Sequence, residues 1–151
     1  MADRTLWTNA IPGGNVLVAG NNVFNLIAGA AITRGQVVSI HGTGVDYTVW
    51  PAILGTTLVP IGIALHTVAN GAVCAVAGLG CIAYCQQETD NTDADAGSEV
   101  VQTDSAGFVG AAAGAAAEEY LVGVRLEASV GAGDTYERIL VLCGLMTQVH
   151  A

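Results

Sequence analysis

Gly35-Gln-Val-Val-Ser-Ile-His41, Ile61-Gly-Ile-Ala-Leu65 and Val76-Ala-Gly-Leu79 recur, in the same order, as Gly97-Ser-Glu-Val-Val-Gln-Thr103, Val122-Gly-Val-Arg-Leu126 and Leu142-Cys-Gly-Leu145. Val37-Val38 and Val100-Val101 lie 63 positions apart, as do Gly44-Val45 and Gly107-Phe108, while Gly62 and Gly123 lie 61 apart and Gly78-Leu79 and Gly144-Leu145 66 apart. A chain with 20 glycines matches itself by chance in places, so order and spacing carry the signal rather than any single match. They predict two copies of one strand-rich unit of about 50 to 60 residues.

Each copy reads as short β-branched or aromatic runs between Gly-rich turns. In the first copy the runs are 36–40, 47–52, 59–65 and 72–77; in the second they are 100–103, 108–109, 120–126 and 138–143. Asn70-Gly71 between apolar runs is a hairpin signal, because both residues tolerate the positive φ of a tight turn. Strands spaced about 8 to 14 residues apart with glycine turns predict an all-β barrel or sandwich. The expectation is one compact body of two similar β-repeats with pseudo-twofold character, preceded by an extended N-terminal arm. Residues 1–27 read as that arm followed by a hairpin of 16–18 and 23–27, 28–85 as the first repeat, 86–98 as an acidic linker and 99–151 as the second repeat. The Ala-rich stretch 111–119 has the propensity for one or two helical turns.

Composition narrows the function classes. Charged residues make up 11% of the 151-residue chain, against about 25% in an ordinary soluble domain, so the surface is built largely from small polar and apolar groups that suit burial in an assembly. Thirteen acids face four arginines and no lysine, for a net charge of −9. Nucleic acid is not an expected partner, since phosphate binding needs clustered cations. The uncharged run from Tyr47 to Gln87 is interrupted by Gly55, Pro60, Gly62, His66, Asn70 and Gly71, so no membrane span is expected. Met1-Ala-Asp-Arg-Thr5 does not open a signal peptide. Synthesis in a cytosol is expected, and Cys74, Cys81, Cys85 and Cys143 are then expected to be buried free thiols rather than two disulfides.

No catalytic constellation emerges. His41, His66 and His150 lack a nucleophile context. Cys74, Cys81 and Cys85 are spaced too loosely for zinc knuckles. Glu88, Asp90, Asn91, Asp93, Asp95 and Glu99 offer oxygens to calcium but lack the EF-hand glycine and terminal acid, so a solvated loop is the simpler reading. Gly131-Ala-Gly-Asp-Thr135 has no Lys-Ser/Thr pair and reads as a turn, not a phosphate loop. The chain is expected to be no enzyme and to need no cofactor or metal.

The run Ala28-Gly-Ala-Ala-Ile-Thr-Arg-Gly-Gln-Val-Val-Ser-Ile40, followed by Pro60-Ile-Gly-Ile-Ala-Leu65 and Asn70-Gly-Ala-Val-Cys-Ala-Val-Ala-Gly-Leu79, resembles small capsid-cement or head-decoration proteins of tailed bacteriophages. The likeness is best over 28–83 and weaker over 97–146. It implies a β-rich protein, a homotrimer as often in that family, that binds the outside of an icosahedral head and bridges capsomers of the major capsid protein. It implies location on the virion surface and no catalytic site. By the family's habit of using termini and projecting loops, Arg4, Trp7 and Ile11 are the expected capsid contacts. Trp50, Tyr84 and Arg138 are the expected self-association residues, since aromatic and Arg side chains dominate interface energetics. The alternative is a secreted or surface adhesive, fibre-forming β-protein, which would need an export route and disulfides.

Overall fold

The computed structural model describes residues 15–43, 46–53, 59–88, 96–103, 105–111, 120–127 and 135–143. Their regular structure is all strand: β1 (Leu17–Ala19), β2 (Val23–Ala28), β3 (Val37–Thr43), β4 (Asp46–Pro51), β5 (Pro60–Ala64), β6 (Val73–Ala77), β7 (Ile82–Gln87), β8 (Glu99–Gln102), β9 (Val109–Ala111), β10 (Leu121–Arg125) and β11 (Thr135–Val141). The expected all-β fold of two similar units takes the form of two closed five-stranded barrels, ordered β2-β4-β3-β5-β6 and β7-β9-β8-β10-β11. Each closes through one parallel pairing, β2 with β4 and β7 with β9, the remaining pairings being antiparallel.

The duplication extends to the register. Ala28 faces Val49 as Gln87 faces Val109. Leu26 faces Cys74 as Cys85 faces Glu137, and Ala64 faces Val76 as Arg125 faces Ile139. Val38 faces Gly62 as Val100 faces Gly123, and the same register shift follows in both barrels, leaving Ile61 and Val122 as the extra residues. Val38 therefore occupies the place of Val100, one residue away from the Val37-Val38 to Val100-Val101 match. Gly62 and Gly123 recur for a steric reason: a Cβ at either would collide with a neighbouring-strand carbonyl, that of Ala77 or of Leu140. A bulge that presses two strands together leaves room only for glycine.

Three sequence expectations are corrected. β1 and β2 are not a hairpin: β1 pairs with β7, Leu17 opposite Ala83, and β2 is enclosed between β4 and β6. β7 does not end the first repeat; it holds in the second barrel the place that β2 holds in the first. The units thus run from β2 to β6 and from β7 to β11. The stretch 86–98 begins within β7 and then joins the first two strands of the second barrel, its residues 89–95 lying outside the described ones. That boundary escaped the sequence because Val-Phe-Asn-Leu-Ile-Ala and Ile-Ala-Tyr-Cys-Gln-Gln share no residue position by position. The third correction concerns symmetry, since the two barrels meet through non-equivalent faces rather than about a twofold. The expected N-terminal arm lies outside the described residues; of the stretch 111–119 expected to form helical turns, Ala111 ends β9 and the rest lies outside them.

From the first barrel the contact uses the turn at Gly35 and the outward side chains Val37, Ile63 and Ala77, all three fully buried. Gly35 has a φ of 83°, and a Cβ there would sit 2.7 Å from the Tyr136 ring. Its carbonyl accepts from Gln86 N at 2.8 Å, Val37 N donates to Gly107 O at 2.9 Å, and Gly107 N donates to Ala52 O at 2.7 Å. Val37, Ala52, Ile63 and Ala77 join Ala83, Cys85, Val100, Val109, Val122 and Ile139 in one apolar cluster spanning both barrels. Fully burying a Val or Ile side chain contributes about 1.5 to 3 kcal/mol, so this seam is a substantial part of the core. A second cluster, with Ala28, Val38, Val49, Ala64, Cys74 and Val76, fills the first barrel.

Candidate functional site

The shared register shows where the two interiors differ. Leu26, Ala28, Ala64 and Cys74 line the first barrel; at the equivalent positions the second carries Cys85, Gln87, Arg125 and Glu137. Arg125 Nη1 lies 3.1 Å from Glu137 Oε2 with both side chains at 0% exposure, an ion pair enclosed in the barrel. The geometry is poor for hydrogen bonding. Arg125 Nε, Nη1 and Nη2 and both Glu137 oxygens have no hydrogen-bond partner among the described residues. Burial pushes the Glu137 carboxyl up to about 7, with the Arg125 guanidinium pulling it back down. Desolvation wins because taking a carboxylate out of water costs more than one misaligned cation returns.

Beside the pair, burial and the Glu137 charge push the Cys85 thiol well up, and burial lifts Cys143 to about 12. Its Sγ donates to Val122 O at 3.3 Å. Thiols held protonated in this way are poor nucleophiles and poor metal ligands. Glu127, itself buried, pairs with Arg138, whose side chain is 30% exposed. Arg125 and Glu137 are fully enclosed, and among the described residues no three His, Cys, Asp or Glu side chains gather to hold a metal. Glu88, at the start of the acidic stretch, accepts a hydrogen bond from Ser105 Oγ at 2.5 Å. The other acids of that stretch up to Asp95 lie outside the described residues.

Large apolar and aromatic side chains stand exposed on the first barrel. Across the outside of the first barrel, Val73 on β6 faces Ile27 on β2, Ile27 faces Thr48 on β4, and Thr48 faces His41 on β3. Val73 is 58% exposed and Ile27 44%. Trp50 continues the strip, its ring 5.4 Å from that of His41 and its Nε1 donating to Thr48 Oγ1 at 2.8 Å. Tyr47 is 72% exposed at the barrel mouth beside it, and Val23 and Ile40 are also exposed. A separate cleft of about 310 Å³, lined by Asn15, Val16, Leu17, Leu65 and His66, opens where β1 meets the end of β5.

Of the three expected self-association residues, Trp50 lies in this strip and Arg138 is half-buried in its pair with Glu127. Tyr84 is a correction: it is 5% exposed, buried in the apolar cluster that also holds Val16 and, packed against it, Leu17, and so offers a partner little surface. Arg4, Trp7 and Ile11 lie outside the described residues. The sequence reading missed the Val73–Ile27 face and the buried Arg125–Glu137 pair. The pair had a legible signal, since Val122-Gly-Val-Arg-Leu126 puts a charge where Ile61-Gly-Ile-Ala-Leu65 has alanine. No helix among the described residues is long and apolar enough to cross a membrane. No protein-family model and no curated protein matches the chain.

Proposed function

We propose that this chain is a non-enzymatic virion structural protein, a decoration or cement protein that binds the outer surface of an icosahedral phage head, bridges capsomers of the major capsid protein and associates with copies of itself. The observation that carries the reading is the exposed strip Val73, Ile27 and Trp50, with Tyr47 exposed beside it, on a charge-poor double barrel, because apolar and aromatic area facing solvent marks a protein interface. The resemblance of residues 28–83 to head-decoration proteins supplies the kind of partner. On a shell each weak contact is repeated by symmetry, so avidity holds the particle without any single tight interface. An acidic surface with its few cations partly consumed by Glu137 and Glu127 does not favour nucleic acid as partner.

The alternative, a secreted adhesive fibre protein, calls for disulfides; Cys74, Cys81, Cys85 and Cys143 are all free and buried, which favours the virion reading. Deleting residues 2–13 tests the assignment of Arg4, Trp7 and Ile11: the truncated protein is expected to keep its β circular dichroism and to stop co-sedimenting with expanded capsids. Retained binding would remove the arm from the account.

A further inference from the structure

Within one chain, a turn of the first barrel docks on a face of the second. The turn centres on Gly35, whose N–H donates to Ala64 O while Gln36 O accepts from Ala64 N. It seats against Tyr136 and Gln86, adjacent residues of β11 and β7. The duplication supplies a second copy of each half of that contact. Gly97 N donates to Arg125 O and Ser98 O accepts from Arg125 N, the same turn with φ of 86° at its glycine. It is exposed, and a Cβ on Gly97 would meet open space. The wall beside the first turn, Val37, Ile63 and Ala77, is fully buried against the second barrel; its counterparts beside the second turn, Glu99, Val124 and Leu140, are half-buried. The receiving face is also duplicated: Tyr136 and Gln86 correspond to Val73 and Ile27, the exposed apolar pair on the first barrel.

We propose that copies of this chain join head to tail, the Gly97 turn and the Val124–Leu140 wall of one copy seating on the Val73–Ile27 face of the next, so that the contact between barrels within a chain is repeated between chains. A second copy is the occupant because it carries a turn and wall of the shape that the equivalent face already receives. Such a contact is heterologous, and it closes into a ring or runs on as a filament according to the rotation each step imposes. The proposal deepens the self-association half of the reading above and is separable from the capsid half: failure to bind capsids would sink that half and leave the assembly standing.

The test is light scattering after size exclusion on the full chain, with Ile27→Glu to disable the receiving face and Leu140→Glu to disable the donating wall. Wild type is expected to form an assembly, and each variant to fall to the 15.2 kDa mass of one chain with its circular dichroism unchanged. Mixed one to one, the two variants retain one good half each and are expected to recover a species of twice that mass. Val73→Glu with Val124→Glu repeats the test should the first pair disturb folding. A monomeric wild type, a variant that assembles like wild type, or a mixture that stays monomeric overturns the proposal.

Discussion

Replacing the buried charges of the second barrel with the residues of the first tests whether the two interiors are one design. Arg125→Ala alone leaves Glu137 enclosed at 0% exposure without its cation, and removing one partner of a buried pair costs about 3 to 5 kcal/mol. Stability of an ordinary domain is about 5 to 15 kcal/mol, so this single change should consume a large share of it. The triple variant Cys85→Leu, Arg125→Ala, Glu137→Cys installs the set Leu26, Ala64 and Cys74 at the matching register positions. It removes the desolvated charges together and refills part of the space with the Leu the first barrel uses. Such replacement by packed apolar groups is neutral or stabilising, so the triple variant is expected within about 1 to 2 kcal/mol of wild type. Urea unfolding followed by far-ultraviolet circular dichroism reads both; at a slope near 2 kcal/mol per molar, the single variant shifts its midpoint down by about 2 M. A triple variant no more stable than Arg125→Ala would show that the interiors are not interchangeable and that the register equivalence is wrong.

Three further outcomes are expected. Because Glu137 is pushed from 4.5 to about 7 in the fold, the folded chain holds a proton between those values that the unfolded chain has lost; its contribution is full below pH 4.5 and lost as pH rises through 7. Wild type should therefore lose stability relative to Glu137→Gln between pH 5 and 7.5, and a pH-independent difference refutes this. Gly35→Ala and Gly97→Ala impose the same backbone strain, about 1 kcal/mol, but only the first drives a Cβ into Tyr136, so Gly35→Ala should unfold at lower urea; equal midpoints would mean that the turn does not bear on the second barrel. Native protein should react negligibly with a thiol reagent and show four thiols after denaturation, and prompt reaction in the native state would contradict the burial of Cys74, Cys81, Cys85 and Cys143.

The fold was legible where a residue type was forced. Gly35 and Gly97 had to be glycine for positive φ, Gly62 and Gly123 for the close approach of a neighbouring strand, and these positions made the duplication visible. The opening strands β2 and β7 were not visible as copies, because a strand needs only alternating burial and many residue sets satisfy it. Phe24, Leu26 and Ala28 inside one barrel and Ala83, Cys85 and Gln87 inside the other meet that need with no identity between them. The pairing of β1 with β7 was equally hidden, since the closeness of 16–18 to 23–27 along the chain favoured a local hairpin. At the surface, Trp50 stands 39% exposed, whereas Tyr84, chosen for the same residue-type reason, is 5% exposed, since nothing local distinguishes an aromatic that the fold will bury. Nothing in the sequence runs 23–27 and 72–77 marks Ile27 and Val73 as outward-facing; the closure of the barrel sets them side by side on its outer face.

The claim that this chain decorates a capsid is most directly tested by cryo-electron microscopy of the virion assembled with and without it. Density is expected on the outer shell surface, bridging capsomers, large enough for paired barrels and missing from particles lacking the protein. An outer surface that is the same in both reconstructions, or density confined to the interior or the tail, would contradict it.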